Sequence, residues 1–189
     1  MTSEVAAWVG ERAIPVALVE GRLAALRSGP YAARLPHPDT AEWRNLRRWL
    51  VQAITAEAVI EHEAGVRGIV ADDRDGAPGW LTLLEALRVG GVTAAIVATH
   101  PLARALRRTV VPDTAAPERE TLGYYLRNRD RHPEPYEQAR DQIAAELGKA
   151  NHDRRFALWL DERCAEFVRV QPGFEHPGDP RHPDAVHRH

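Results

Sequence analysis

The chain has a single thiol, Cys164, whose chemistry depends on its neighbours. A cysteine becomes a nucleophile where a histidine or a cation lowers the pKa of the thiol and a cleft exposes it. His100 and His152 are the candidate partners, provided that the fold brings them near Cys164. The other interpretation is structural: Cys164 lies between Leu160 and Phe167 at helical spacing and would then act as a small hydrophobic residue. The sequence leaves both interpretations open.

Several histidines lie in the proline-rich tail PGFEHPGDPRHPDAVHRH, residues 172–189. They are His176, His182, His187 and His189. Imidazoles bind zinc, nickel or copper, so these residues are weak candidates for a metal site. Their spacing matches no structural zinc motif, and we expect the protein to need no cofactor. A tail of this composition cannot fold alone, so it is either a disordered end or a strap that lies on a body formed by residues 1–171. Of the two, we favour the strap.

Aromatic side chains are few, and most should belong to the core because each buries a large apolar area. Some of them are also suited to line an apolar groove. The candidates for this groove are Trp43, Trp49, Trp80, Tyr124, Tyr125, Trp159 and, from the tail, Phe174. We expect Phe174 to anchor the strap against the groove.

Helical periodicity dominates the elements that must position these residues. A first helix is predicted from Pro15 to Gly29, and a longer one runs from Asp39 to Ala64 with Asp39 or Thr40 as its cap. The longest predicted helix runs from Tyr136 to about Val168, and we expect these two long helices to pack together as the core. Residues 4–9 and the sequence FVRV at 167–170 are candidate strands. The predicted fold class is therefore mainly α.

Composition restricts the classes of partner. The 25 lysines and arginines and the 27 aspartates and glutamates give a formal charge of −2, and the sequence contains no basic block suited to a phosphate backbone. We therefore expect that the protein does not bind nucleic acid. No apolar run approaches the roughly 20 residues of a membrane span, and the first residues do not resemble a secretory signal. We therefore expect a cytoplasmic protein.

Three segments suggest a known scaffold: EVAAWVGERAIPVALVEGRLAAL near the start, TLGYYLRNRDRH at 121–132, and IAAELGKANHDRRFALWLDERCAEFVRV at 143–170. Together they resemble the SurA-like and PpiC-type peptidyl-prolyl isomerases. The resemblance implies a SurA-like multi-helix domain with long N- and C-terminal helices. It also implies a small two-stranded element in which the terminal strand returns to pair with the first.

The resemblance does not extend to the catalytic module. The parvulin domain of that family has about 90 to 100 residues, and the stretch between Glu134 and Ile143 has no room for a domain of that size. The glycine-rich segments and active-site histidines of that module are also missing from the sequence. Proline isomerisation by this mechanism is therefore not expected.

Two functional hypotheses follow. The first is a SurA-like helical binding protein that holds an extended polypeptide or partner protein in an apolar groove. The alternative is an enzyme on the same scaffold, such as an isomerase or transferase acting on an acyl chain bound to a carrier protein, with Cys164 as nucleophile and His100 or His152 as its partner. An open groove favours the first hypothesis, and a closed pocket with an activated Cys164 favours the second.

Overall fold

A computed structural model describes residues 4–30, 32–72, 91–112 and 115–179. It confirms the predicted mainly α-helical fold: the described residues form six α-helices and a small three-stranded antiparallel sheet. In these ranges no helix is both long and apolar enough to cross a membrane.

The chain begins with a β-hairpin formed by β1, Val5–Val9, and β2, Arg12–Pro15. Gly10 occupies the turn with φ of 58°, in the left-handed region that glycine adopts without steric cost. The sequence predicts β1 but not β2, because Ile14 is the one side chain of β2 that is fully buried and no alternation is visible. Pro15 is both the last residue of β2 and the N-cap of the first helix, which begins one residue later than predicted.

The first two helices are α1, Val16–Arg27, and α2, Ala41–Arg67, with a short 3-10 turn at Ala32–Arg34 between them. Thr40 caps α2, because its Oγ1 accepts a hydrogen bond of 3.2 Å from the backbone N–H of Trp43. The helix ends at Gly68, which has a left-handed backbone. It is thus one turn longer at its C-terminus than predicted.

The core forms around α2. Its residues Leu46, Leu50, Ile54 and Val59 are all buried. Against this helix pack α3, Gly91–Thr99, and α4, Pro101–Val110, which contribute Ile96 and Leu106 to the same apolar cluster. The break between these two helices falls at His100, because proline at position 101 starts a new helix.

The remaining helices are α5, Glu118–Arg127, and α6, Tyr136–Phe167, which continues directly into β3, Val168–Val170. The first half of α6 packs on α5 around a separate small core of Tyr125, Ala139 and Ile143. The second half packs on α2 through Phe156 and Leu160. One helix therefore joins a helical hairpin to the main body.

The two ends of the domain meet in the sheet, whose strand order is β2-β1-β3. The backbone N–H of Gly10 donates to the carbonyl of Phe167 at 2.8 Å, and that of Gln171 donates to Ala6 at 2.9 Å. The implied pairing of the last strand with the first is thus confirmed. The element has three strands because β2 extends it.

The described part of the strap, residues 172–179, lies against α2. Phe174 is 7% exposed and belongs to the main core cluster. The Arg47 guanidinium lies 4.8 Å from its ring centroid, and Gln52 Nε2 donates to its carbonyl at 3.4 Å. Two residues later the His176 ring meets the Trp49 ring edge-on, with 5.0 Å between centroids. An aromatic anchor therefore holds this part of the strap on the body.

We predict that Phe174→Ala lowers the free energy of unfolding by about 3 kcal/mol, because it removes a buried aromatic ring from the core. Urea denaturation followed by circular dichroism measures the change. The matched control is Leu158→Ala on α6, whose side chain is 54% exposed and whose loss should cost less than about 0.5 kcal/mol. Equal stability of the two variants would contradict a docked Phe174.

Candidate functional site

A cleft of about 490 Å³ opens between α2, α3, α6 and β3. Its volume is within the range of roughly 300 to 1,000 Å³ that is usual for ligand sites. Most of the side chains that line it are apolar, among them Trp49, Ala56, Val92 and Leu160. The described residues thus include one concave apolar surface that is large enough to bind a ligand.

Helical spacing explains how two long helices supply opposite walls. On α2, Trp49, Gln52 and Ala56 follow each other at intervals of three and four residues and therefore share a face. On α6, the same intervals relate Ala157, Leu160, Asp161, Cys164 and Ala165. The cleft is the space left between these two faces.

The other walls are short. Val92 and Thr93 at the start of α3 line one end of the cleft. Val168 and Val170 of β3 line another part, and His176 of the strap completes the lining. The strap thus contributes a side chain to the cleft and does not merely cover the surface.

Cys164 lies in the wall but its surroundings oppose ionisation. Burial raises the pKa of the Cys164 thiol from its ordinary value of 9.0 to about 12, and the negative charge of Asp161 acts in the same direction. The thiol is therefore protonated at neutral pH. A protonated thiol in an apolar wall is a contact surface and not an activated nucleophile.

Asp161 is the acidic residue of the lining, and two opposing effects act on the pKa of its carboxyl group. Partial burial raises the pKa of the Asp161 carboxyl, whereas the positive charge of a protonated His176 lowers it. One carboxylate and one imidazole therefore interact electrostatically at the cleft, whose lining also includes the polar residues Gln52, Thr55 and Thr93. They provide polar contacts at its border.

The histidines proposed as partners of Cys164 do not line the cleft. His152 Nε2 lies 2.9 Å from the carbonyl of Val111, and its position on α6 is twelve residues before Cys164, roughly 18 Å along the axis. His100 lies at the start of α4, where its Nδ1 is buried. The histidine at the cleft is His176, which the sequence indicated only as a weak metal ligand.

Among the described aromatic candidates, Trp49 lines the cleft and the others lie elsewhere. Trp43 packs under the Arg27 guanidinium, 4.9 Å from its ring centroid, on the side of α1. Trp159 stacks on Phe156 with 5.6 Å between ring centroids. The remaining residues are Tyr124 and Tyr125, in the small core between α5 and α6, Phe174, in the main core, and Trp80, which lies outside the described residues. Of the described residues predicted to line an aromatic groove, the cleft thus contains Trp49. The other rings lie on helix faces that contact different neighbours.

The metal hypothesis concerns four histidines of the strap, of which only His176 is described; His182, His187 and His189 lie outside the described residues. Across the described ranges, no group of three or more His, Cys, Asp or Glu side chains is arranged to hold a metal ion.

Several residues that line the cleft were not predicted from the sequence, among them Gln52, Asp161, Val168 and Val170. Periodicity on α6 relates Asp161 to Cys164 and could have indicated that they share a face. Helical periodicity could not predict that residues of β3 line the cleft, because their position depends on where the terminal strand pairs.

The comparisons with known proteins give one partial match. A family model described as a family of unknown function (DUF7158) matches residues 5–42, which include β1, β2, α1 and the first residues of α2. No curated protein and no solved structure matches the chain. The matched segment ends before Trp49, the first residue of the lining, so it includes none of the residues that line the cleft.

We predict that Cys164 reacts slowly with iodoacetamide at pH 7 in the folded protein, and that the rate rises as the pH approaches 12. Asp161→Asn should speed the reaction below that pH, because it removes a negative charge that disfavours the thiolate. Mass spectrometry of the alkylated protein measures the rates.

The matched control is Glu162→Gln, which changes the adjacent exposed carboxyl and should leave the rate as in the parent protein. Rapid alkylation of the parent protein at pH 7, at the rate of the urea-unfolded chain or faster, would contradict this description of Cys164.

Proposed function

We propose that this chain is a SurA-like helical binding protein without parvulin activity, which holds an extended polypeptide or a partner protein in the cleft between α2, α3, α6 and β3. The observation that carries the proposal is the cleft itself. About half of its lining residues are aliphatic, such as Ala56, Ala157 and Val92, and the polar ones are Gln52, Thr55, Thr93, Asp161 and His176. The aliphatic part of such a surface binds apolar side chains through the hydrophobic effect.

The composition of the two walls supports the same function. The α2 wall presents Trp49, whose large ring is held edge-on by His176. The α6 wall presents alanines and Leu160, which leave depth for the side chains of a ligand. A rigid aromatic ring facing small aliphatic residues suits an apolar side chain that enters between them.

The pairing of β3 with β1 also supports the proposed function. The strand that follows the long helix pairs with β1, as the SurA-like resemblance implies, and its valines border the cleft. The cleft is therefore built partly from the segment of the sequence that carries the resemblance.

The alternative is an enzyme acting on an acyl chain bound to a carrier protein, with Cys164 as nucleophile. The apolar walls would accept an acyl chain as well. However, the alternative requires a thiolate, and burial together with Asp161 raises the pKa of Cys164 to about 12. We therefore favour polypeptide binding.

The proposal is tested with a labelled peptide of alternating valine and serine with lysines at its ends, whose binding is followed by fluorescence anisotropy. We predict that Ala157→Phe, which fills the cleft from the α6 wall, weakens binding about tenfold or more, equivalent to about 1.4 kcal/mol. The matched control is Ala145→Phe, at an exposed position on the same helix, which should bind as the parent protein does.

Two outcomes would contradict the proposal. One is that the parent protein does not bind the peptide. The other is that it binds the peptide but Ala157→Phe has no effect while thermal unfolding shows that the variant is folded. Binding of a fluorescent fatty acyl chain in place of the peptide, with loss in Ala157→Phe, would support the enzyme alternative.

A further inference from the structure

Among the described residues, the sheet has an unpaired edge beside the cleft. In the strand order β2-β1-β3, the last strand pairs with β1, and no other described strand pairs with its outer side. The side chains of Val168 and Val170, its first and third residues, line the cleft. Both valines are partly exposed, so the edge is accessible from the cleft.

The ladder fixes the direction of each backbone group on β3. Hydrogen bonds join Gly10 to Phe167 and Ala6 to Gln171, and directly opposed residues in an antiparallel ladder alternate between bonded and non-bonded pairs. Arg169, opposite Trp8, is therefore the residue of β3 that faces β1. The N–H and C=O groups of Val168 and Val170 point to the outer edge.

Most of these outward groups have no partner. The N–H of Val168 is satisfied, since it caps α6 by donating to the carbonyl of Cys164. In the part of the chain that the structure describes, the carbonyl of Val168 and both backbone groups of Val170 make no hydrogen bond. Two acceptors and one donor thus lie in a row at the border of an apolar cleft.

The other edge of the same sheet is different. Natural sheets protect exposed edges with charged residues and proline. On β2, Arg12 forms an ion pair with Glu61 at 2.5 Å, and Pro15 ends the strand. On β3 the two residues whose backbone groups face outward are valines, and the charged residue between them is Arg169, which faces β1.

We infer that β3 receives the backbone of a polypeptide, which adds to its outer edge as a fourth strand while alternate side chains enter the cleft. This inference rests on the proposed function and specifies how the ligand is bound. Strand addition draws affinity from main-chain hydrogen bonds and selectivity from pockets for every second side chain.

The occupant is therefore an extended segment with apolar residues at alternate positions and no proline at the residues that pair with Val170. The backbone groups at the outer edge of β3 determine that the ligand is a polypeptide. An acyl chain has no repeating N–H and C=O groups to pair with Val168 and Val170, whereas an extended polypeptide presents them at the required spacing. Both the unpaired edge and the apolar walls are then satisfied by one ligand.

The first test is Val170→Pro, assayed with the alternating valine and serine peptide. Proline removes the outward N–H of Val170 and leaves the pairing of Arg169 with Trp8, and edge positions of this kind tolerate proline. We expect binding to weaken about tenfold or more. The matched control is Ala13→Pro on β2, which removes an outward N–H from the opposite edge and should leave binding unchanged.

The second test uses the parent protein, so that it does not depend on the folding of a variant. Two versions of the peptide carry backbone N-methyl groups, one at every valine and the other at every serine. Because the N–H groups of an added strand face its neighbour only at every second residue, one version should lose binding and the other should keep it.

The outcomes separate the two proposals. Loss of binding in Val170→Pro and with one methylated peptide supports strand addition. If the parent protein binds the peptide but Val170→Pro and both methylated peptides bind equally well, strand addition is overturned and binding in the cleft stands. If the parent protein does not bind the unmodified peptide, the proposed function fails and the inference fails with it.

Discussion

The antiparallel pairing of β3 with β1 is the constraint on which the functional surface depends. The helix α6 has 32 residues and would be about 48 Å long, so a small change of direction at its base would displace its other end widely. Hydrogen bonds from Gly10 and Gln171 fix its C-terminal end to the first strand. This pairing brings the last turns of α6 against α2 and directs the chain toward Trp49, where Phe174 and His176 hold it. The cleft is a consequence of this arrangement.

The chemistry of the cleft is that of a binding surface. Its one thiol is kept protonated by burial and by Asp161, and Asp161 and His176 interact electrostatically. About half of the lining residues are aliphatic, so part of the affinity would come from burying ligand side chains. The edge of β3 adds the directional component that such walls lack, because backbone hydrogen bonds specify the orientation and register of an extended chain.

Local patterns in the sequence predicted much of the fold. The apolar spacing in α2 and α6 predicted both helices, and Thr40 was among the predicted caps. The site was less predictable, because it depends on which helix faces meet. Tryptophans at helical spacing on α2 and α6 turn toward different partners, and only Trp49 reaches the cleft. His176 was visible as a possible ligand, but its contact with Trp49 depends on the docking of Phe174 and cannot be inferred from spacing.

The most direct test of peptide binding in the cleft is an amide and indole NMR titration of the full chain with the alternating valine and serine peptide. We predict saturable shift changes with a common dissociation constant at the Val170 amide and the Trp49 indole, which border the cleft. Residues of α5 such as Leu122 and Leu126, which are exposed but distant in the fold from β3, should be unaffected. Shift changes confined to α5, with none at Val170 or Trp49, would contradict binding in the cleft.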